Sequence, residues 1–413
     1  MNLQRCRGCD NHDLVQILDL GFAPPSNALL NSSDLAKGEL HYPLVLLFCD
    51  LCKLVQTKDF HSGEMLFTSN YPYLSSTSTS WIKHSHELVD SLIEQFNLNE
   101  TTLVAEIASN DGYLLERLVQ RNIPHYGIEP TEIAANISVE KGHNVYKCFL
   151  NIETASQIRQ EKGAAEVVIA NNVFAHVPEL RNFTEAARIL LSQNGILIIE
   201  VQDFTILLEK VLFDTVYHEH YSYFTLSSIT NLLEKHQLGI FKVEHVNTHG
   251  GSIRVYAKNN SVSSLPQGLQ NFSRFSEGKA TNLQELLKFQ YLVDSVKRRI
   301  KDFFFDQESQ GNVVAGLGAA AKGNTLINFL KLGRDDIRYV FDSAPSKQGL
   351  FLPGSHIPVY PLKSLGDFSD IDTLIALPWN IAEELAYEVF VLQSLAYPIY
   401  RLMPETKLIS QKV

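Results

Sequence analysis

Residues Leu103 to Leu115, LVAEIASNDGYLL, read as a buried strand, a tight loop and the start of a helix near Tyr113. Leu103, Val104, Ala105 and Ile107 form the short apolar run expected of a parallel strand covered on both faces. Ser109-Asn110-Asp111-Gly112 breaks the strand and offers N-cap chemistry. A strand, loop and helix of this kind confine the chain to an open α/β sheet, which receives ligands outside the carboxyl end of its strands.

The loop is not GxGxxG. Gly112 is its one glycine, and Ala108 and Asn110 stand where others would be needed to pack against a pyrophosphate. Glu106 places a carboxylate at the strand end, which suits a cation. Glu129 closes the next apolar segment, at the distance where an acid grips ribose hydroxyls. S-adenosylmethionine, an adenosine with a sulfonium and no phosphate, fits that set. Glu106, Ala108, Asn110, Asp111, Gly112 and Glu129 are therefore cofactor-binding candidates. Solvated strand-end carboxylates are the competing explanation.

A chain of 413 residues implies two or three domains. Acidic residues outnumber basic ones 46 to 35, a net charge of −11, which argues against a nucleic-acid partner. No apolar run approaches the roughly 18 residues of a membrane span, and MNLQRCRGCD lacks a signal-peptide core. The expectation is a cytoplasmic protein with reduced cysteines.

Four of the five cysteines form two CxxC pairs, Cys6/Cys9 and Cys49/Cys52. In a reducing compartment such pairs read as a closed tetrahedral Zn²⁺ site, hence structural rather than catalytic. Strands at Val15–Leu20 and Tyr42–Phe48, with a loop at Gly21–Pro25, would bring the knuckles together. Two independent redox or merely buried CxxC motifs are the alternative. Cys148 reads as a buried small hydrophobe. The segment YPYLSSTSTS is either a linker before a helix at Trp81–Phe96 or a lid that points Tyr71 or Tyr73 inward.

Further along, Glu166–Ala170 is another buried strand, ended by Asn171 and Asn172 on the same edge as the first loop, which adds both to the cofactor set. Pro178 opens an amphipathic helix that Asn194-Gly195 stops, and Gly195–Val201 is the next strand. Ile240–His245 and Ser252–Ala257 form a closing antiparallel hairpin. The fold class is α/β, a doubly wound sheet on the class I S-adenosylmethionine methyltransferase plan.

Between strand and hairpin lies FDTVYHEHYSYF, residues 213–224. Histidine exchanges a proton near neutral pH, a neighbouring glutamate can orient it, and tyrosine can donate to a carbonyl becoming an enolate. Together they suit proton abstraction beside a ketone. A metal site built on HxH, or an aromatic core segment, are the rivals. His176 lies on the same carboxyl edge as the cofactor loop and alone reads as a helix-entry residue.

CRGC and CDLC, YPYLSSTS, EIASNDGYLL, NNVFAHVPEL, FDTVYHEHYSYF, GLGAAAKGNT and KQG stand in this order along nearly the whole chain. The sequence resembles the three-domain sugar C-methyltransferases that act on nucleotide-linked 4-keto-deoxysugars. The resemblance implies that His220 is the base that removes the proton α to the 4-keto group. It implies that Tyr217 and Glu219 orient the sugar and polarise its carbonyl, that His176 touches the sugar, and that Tyr71 is a lid residue. It makes Cys6, Cys9, Cys49 and Cys52 the structural zinc ligands. The enolate carbon, usually C3, would then attack the methyl of S-adenosylmethionine. The expected substrate is an NDP-4-keto-6-deoxyhexose, and the expected state a monomer. An O- or N-methyltransferase and a non-catalytic sensor are the competing functions. Gly318-Ala319-Ala320-Ala321 is richer in alanine than the family loop, and Glu200-Val201-Gln202-Asp203 varies near the cofactor.

The expected domains are a zinc module at 1–70, the methyltransferase domain at 71–258, a linker at 259–282 and a smaller Rossmann-like domain at 283–413. Leu283–Gln310 reads as one long helix, followed by a second strand-loop-helix unit with the glycines the first lacks. Lys322 and Lys347 could neutralise a diphosphate there, with the helix start adding its dipole. Asn324 in the same loop and Asp342 at the next strand end complete the substrate-binding candidates, in a cleft facing the central sheet. A dimerisation or purely structural domain is the alternative.

Overall fold

The computed structural model describes residues 4–58, 74–259 and 278–409. The chain divides into two compact units. The first takes in Met1–Val15, Phe48–Phe204 and Tyr221–Thr281, the second Gln16–Leu47, Thr205–His220 and Asn282–Val413. Near the N-terminus lie strands β1 (Leu14–Ala23), β2 (Tyr42–Cys49) and β3 (Val55–Thr57). β1 and β2 each run longer than the expected strands.

The first unit is built on a seven-stranded sheet. Its parallel strands are β4 (Val104–Ile107), β5 (His125–Ile128), β6 (Val145–Tyr146), β7 (Ala165–Asn171) and β8 (Leu191–Gln202). A short strand, β9 (Ser222–Tyr223), pairs with β3 instead. The hairpin of β10 (Leu238–Val246) and β11 (Ser252–Asn259) adds β11 antiparallel to β8. The order is β10-β11-β8-β7-β4-β5-β6. Counted along the chain this is 3-2-1-4-5-7-6 with the seventh strand reversed, the class I methyltransferase arrangement. The strand order reverses between β4 and β7, where such a sheet opens its ligand crevice.

Alternate residues explain why these strands are buried on both faces. Val104, Val167, Ile169, Ile196 and Ile198 pack with Trp81, Leu88, Val89 and Leu92 of helix α1 (Thr79–Phe96). Ala105, Ile107, Val168, Leu197 and Ile199 join the opposite core. That core includes Phe183 and Leu190 of the helix Leu180–Leu190.

Other boundaries also differ from the sequence reading. Tyr113 and Leu114 are spent in the turn, so the helix after β4 starts at Leu115. The helix expected from Pro178 begins at Leu180. It ends at Leu190 without a loop, because the backbone at Leu191 is already extended and β8 runs through Asn194-Gly195.

The second unit carries a sheet of order β14-β13-β12-β15-β16-β17. Its strands are β12 (Val314–Leu317), β13 (Tyr339–Asp342), β14 (Val359–Pro361), β15 (Thr373–Ala376), β16 (Ile399–Arg401) and β17 (Lys407–Ile409). All pair in parallel except β17. This is a smaller Rossmann-like sheet with its own switch point between β12 and β15. The expected long helix is interrupted. Asn282 caps a single turn, Leu283–Leu286, and the main helix α2 spans Phe289–Ser309. Helix α3 (Ala321–Leu330) follows the β12 loop. No helix among the described residues is long and apolar enough to cross a membrane.

Candidate functional site

The two CxxC segments fold into matching knuckles. The amide of Cys6 bonds to Asn11 and that of Asp10 back to Cys6; Cys49 bonds to Leu54 and Lys53 back to Cys49. Asp10 and Lys53 both have positive φ, which turns each chain back on its first cysteine. The Sγ atoms of Cys6, Cys9, Cys49 and Cys52 all lie within 4.8 Å of one another, with Cys6–Cys52 at 3.3 Å and Cys9–Cys49 at 3.5 Å. Thiolates around a tetrahedral zinc stand roughly 3.8 Å apart, so the cluster fits that ion. Without a cation, the hydrogen bond with Cys49, burial and the neighbouring sulfurs push the Cys6 thiol up to about 12. Four thiolates at this spacing need a metal charge to coexist. Among the described residues no other group of His, Cys, Asp or Glu side chains converges as metal ligands, so the HxH metal reading has no counterpart there.

The cofactor candidates meet at the carboxyl ends of β4 and β7. Ala108, Asn110, Gly112 and Asn172 all have positive φ, so the backbone turns sharply at each strand end. Glu129 organises the loop: its Oε2 accepts from the Asn110 amide at 2.9 Å, and its Oε1 from the Thr131 amide at 2.8 Å. Asp111 is buried, with the Lys141 ammonium 3.9 Å from its Oδ2. Glu106 is buried too. Desolvation, then Glu129 and Asp111, push its carboxyl well above the usual range. Burial likewise raises Glu129, against its bonds from Thr131 and Asn110.

Glu106 Oε2, Ser109 Oγ, Asp111 Oδ1 and both side-chain polar atoms of Asn171 have no hydrogen-bond partner among the described residues. Buried polar groups ordinarily find partners. A crevice of orphaned acids and amides matches a cationic, hydrogen-bond-rich ligand such as S-adenosylmethionine. At Gly112, with φ +81°, a Cβ would lie 2.6 Å from both His143 Cδ2 and Ser138 Oγ. Gly112→Ala is expected to destabilise the fold by about 1–3 kcal/mol and to weaken S-adenosylmethionine binding. Calorimetric titration and thermal melting check both, and unchanged values would show the loop to be tolerant.

Sequence reasoning missed the network beside this crevice. Glu200, paired with Asn171 across β7 and β8, is fully buried. Its carboxylate accepts from Arg254 at 2.7 Å and Thr248 at 3.0 Å, and His84 lies 3.0 Å away. Burial would raise its pKa, but His84 and Arg254 outweigh it and hold Glu200 at about 2. His84 in turn stacks on Trp81 at 5.1 Å. Nothing in the sequence links residues 84, 200 and 254. Ser75, from the expected lid segment, donates its amide to Asn110 Oδ1 at 2.8 Å. Tyr71 and Tyr73 lie outside the described residues. His176 sits in the turn Phe174–His176 that follows β7.

The histidine-rich stretch up to His220 belongs to the second unit. His220 Nδ1 donates to the Thr215 carbonyl at 3.1 Å, which leaves Nε2 as the acceptor facing the Tyr217 hydroxyl at 2.6 Å. The two rings lie 4.0 Å apart. Glu219 is buried, accepts from the Asn27 amide at 3.2 Å, and burial raises its carboxyl. An imidazole whose Nδ1 is taken by a carbonyl and a tyrosine hydroxyl at its Nε2 form a pair for acid–base chemistry, with the Glu219 carboxyl in the same stretch.

In the β12 loop, Asp342 accepts from the Ala319 and Ala344 amides, both at 2.7 Å. Lys347 donates to the Ala319 carbonyl at 2.9 Å and reaches Asp342 at 3.4 Å. Both head groups hold the loop in shape. Asn324 is buried, and neither polar atom of its side chain has a partner among the described residues. Lys322 is half-buried and donates to Asn380 at 3.2 Å; desolvation lowers it to about 8, against Asp214.

Comparison with known proteins finds three successive family models along the chain. Residues 6–67 match the family model "Putative zinc binding domain", 81–243 "Methyltransferase domain", and 247–392 "C-methyltransferase C-terminal domain". The chain is 31% identical to the C-methyltransferase NovU of Streptomyces niveus over 93% of its own length and 91% of that protein. Among solved structures it is similar to magnesium protoporphyrin IX methyltransferase of Synechocystis PCC 6803 with bound SAM, at 17% identity over 43% of this chain and 79% of that one, TM-score 0.34. It is also similar to a SAM-dependent methyltransferase of Anabaena variabilis, at 16% identity over 49% and 96% of the two chains, TM-score 0.38.

Proposed function

This chain belongs to the C-methyltransferase family, and from that premise we propose that it methylates an NDP-4-keto-6-deoxyhexose at C3 in branched deoxysugar biosynthesis. The observation that carries the reading is the His220 imidazole, held by the Thr215 carbonyl in the tautomer whose Nε2 can accept a proton. S-adenosylmethionine, when bound, would supply a sulfonium-bound methyl group that a carbon nucleophile can take, with the S–CH₃ electron pair leaving on neutral S-adenosylhomocysteine.

The residues divide the work as follows. Glu106, Asp111 and Glu129 present carboxyls to a cationic ligand with ribose hydroxyls, and Ala108, Asn110, Gly112, Asn171 and Asn172 line its crevice. In the second unit Tyr217 caps Nε2 of His220. When the 4-keto oxygen takes that hydroxyl bond, Nε2 becomes available for the C3 proton. The C3–H electrons then enter the enolate, and the Tyr217 hydroxyl and a protonated Glu219 donate to its oxygen. The family resemblance assigns His176 to the sugar, and to Tyr71, outside the described residues, a lid role. Lys322 and Asn324 receive the diphosphate, in a loop whose shape Asp342 and Lys347 maintain.

Solvent deuterium exchange tests the reading. With an NDP-4-keto-6-deoxyhexose in D₂O, deuterium is expected to enter at C3, and methyl from S-adenosylmethionine at the same carbon. Methyl on oxygen or nitrogen with no exchange at C3 would remove this function. Thermal shift with dTDP-, GDP-, CDP- and UDP-linked sugars identifies the nucleotide.

A further inference from the structure

Asp214 immediately precedes the acid–base stretch, in the turn Phe213–Thr215. Its side chain is buried, and its Oδ2 accepts from the indole Nε1 of Trp379 at 2.6 Å. Trp379 follows strand β15. The preceding residue, Phe213, packs its ring edge-on against Phe329 of helix α3 at 5.0 Å. Lys322, at the start of α3, lies 5.0 Å above the Trp379 ring. Trp379, which holds Asp214, thus follows β15, and Lys322 above its ring follows β12, on either side of the second sheet's switch point. That crevice is where an open α/β sheet receives an anion from a ligand. On its β15 side the chain's own Asp214 carboxyl is bound, beside the loop proposed for the diphosphate.

The residue after Asp214 supplies the carbonyl that accepts from His220 Nδ1. A shift of that carbonyl would free Nδ1 and let the imidazole exchange tautomers, and the wrong tautomer has no lone pair at Nε2. We propose that Asp214 is a positioning residue, docked by Trp379, that fixes the Thr215 carbonyl and through it the tautomer of His220. The inference rests on His220 as the base. It adds that the C-terminal sheet sets the state of that base through an internal carboxylate.

The test is ¹⁵N NMR of the full-length zinc-loaded protein with labelled histidine, the His220 signals being assigned by their loss in His220→Gln. The wild type should show a protonated Nδ1 and a bare Nε2. Asp214→Ala should move both nitrogens toward averaged shifts and lower kcat about tenfold to a hundredfold, with KM for S-adenosylmethionine unchanged. Asp214→Asn, which keeps an acceptor for the indole, should restore the wild-type shifts and most of the turnover. A merely structural role would lower stability and leave the tautomer alone. A folded Asp214→Ala protein with wild-type His220 shifts overturns the proposal. Should that variant fail to fold, Trp379→Phe, which removes the donor and keeps an aromatic ring, decides the matter by the same shifts. If no keto-sugar is turned over by the wild type, the proposed function falls, while the NMR still decides the positioning role.

Discussion

His220→Gln is expected to lower methyl transfer about 10²- to 10⁴-fold, equivalent to about 3–5 kcal/mol of transition-state stabilisation, and to stop deuterium entry at C3. Glutamine can keep the bond to the Thr215 carbonyl, because its side-chain amide donates. It has no lone pair basic enough to take a proton from carbon. The fold should survive, since glutamine can still offer a partner to the Thr215 carbonyl and to the Tyr217 hydroxyl. Binding of S-adenosylmethionine should survive too, because its candidate residues Glu106, Asp111 and Glu129 belong to the other compact unit. The loss should therefore fall on kcat, with the dissociation constant for S-adenosylmethionine unchanged. Calorimetry and exchange-detected NMR on one preparation separate the two effects. Turnover at the wild-type level would show that another group takes the proton.

Much of the central sheet was legible in the sequence because its signal is local. A run such as LVAEI followed by Ser109-Asn110-Asp111-Gly112 fixes strand, loop and helix within a dozen residues. Side chains entering opposite cores made β4 and β7 read as buried strands. The cysteine pairs were legible for the same reason, since two-residue spacing encodes a knuckle. Boundaries were lost where tertiary packing outvoted a local stop: at Asn194-Gly195, Gly195 is enclosed so tightly that a Cβ would lie 2.9 Å from the Ala165 carbonyl, and β8 runs straight through. The contacts that shape the site were hidden because they join distant residues. His84, Glu200 and Arg254 come from a helix and two strands, and their pairing depends on the register of β8 against β11, in which Arg254 faces Glu200. Asp214 and Trp379 are an equally remote pair, linked by one hydrogen bond. Lys347, which the sequence offers to a diphosphate, and Asp342, which it offers to the substrate, both bond the Ala319 backbone. A charge in a glycine-containing loop can serve the loop itself as readily as a ligand, and sequence does not separate the two.

Removing the zinc is expected to disable the protein beyond its N-terminal module. Cys49→Ser, or exhaustive chelation, should abolish the stoichiometric zinc, lower Tm and expose residues 6–58 to protease. Structural zinc contributes roughly 10–16 kcal/mol of binding free energy in small peptides, more than a module of this size gains from its own core. The effect should also reach the site. Arg7, inside the first knuckle, donates to the Tyr221 carbonyl at 2.6 Å and to the Thr57 carbonyl at 3.0 Å, with its guanidinium 5.0 Å from the Tyr221 ring. The amide of Tyr221 in turn bonds to the Ala175 carbonyl at 2.7 Å, next to His176. Tyr221 directly follows His220 in the chain, so loss of the knuckle unties one end of the acid–base stretch. Turnover should therefore fall with the zinc content, and return when Zn²⁺ is restored to the chelated protein. Cys148→Ser, at the one cysteine outside the cluster, should leave zinc and turnover unchanged. Elemental analysis against Tm and activity settles the point: a metal-free protein with wild-type melting and turnover would make the four thiols a bystander cluster.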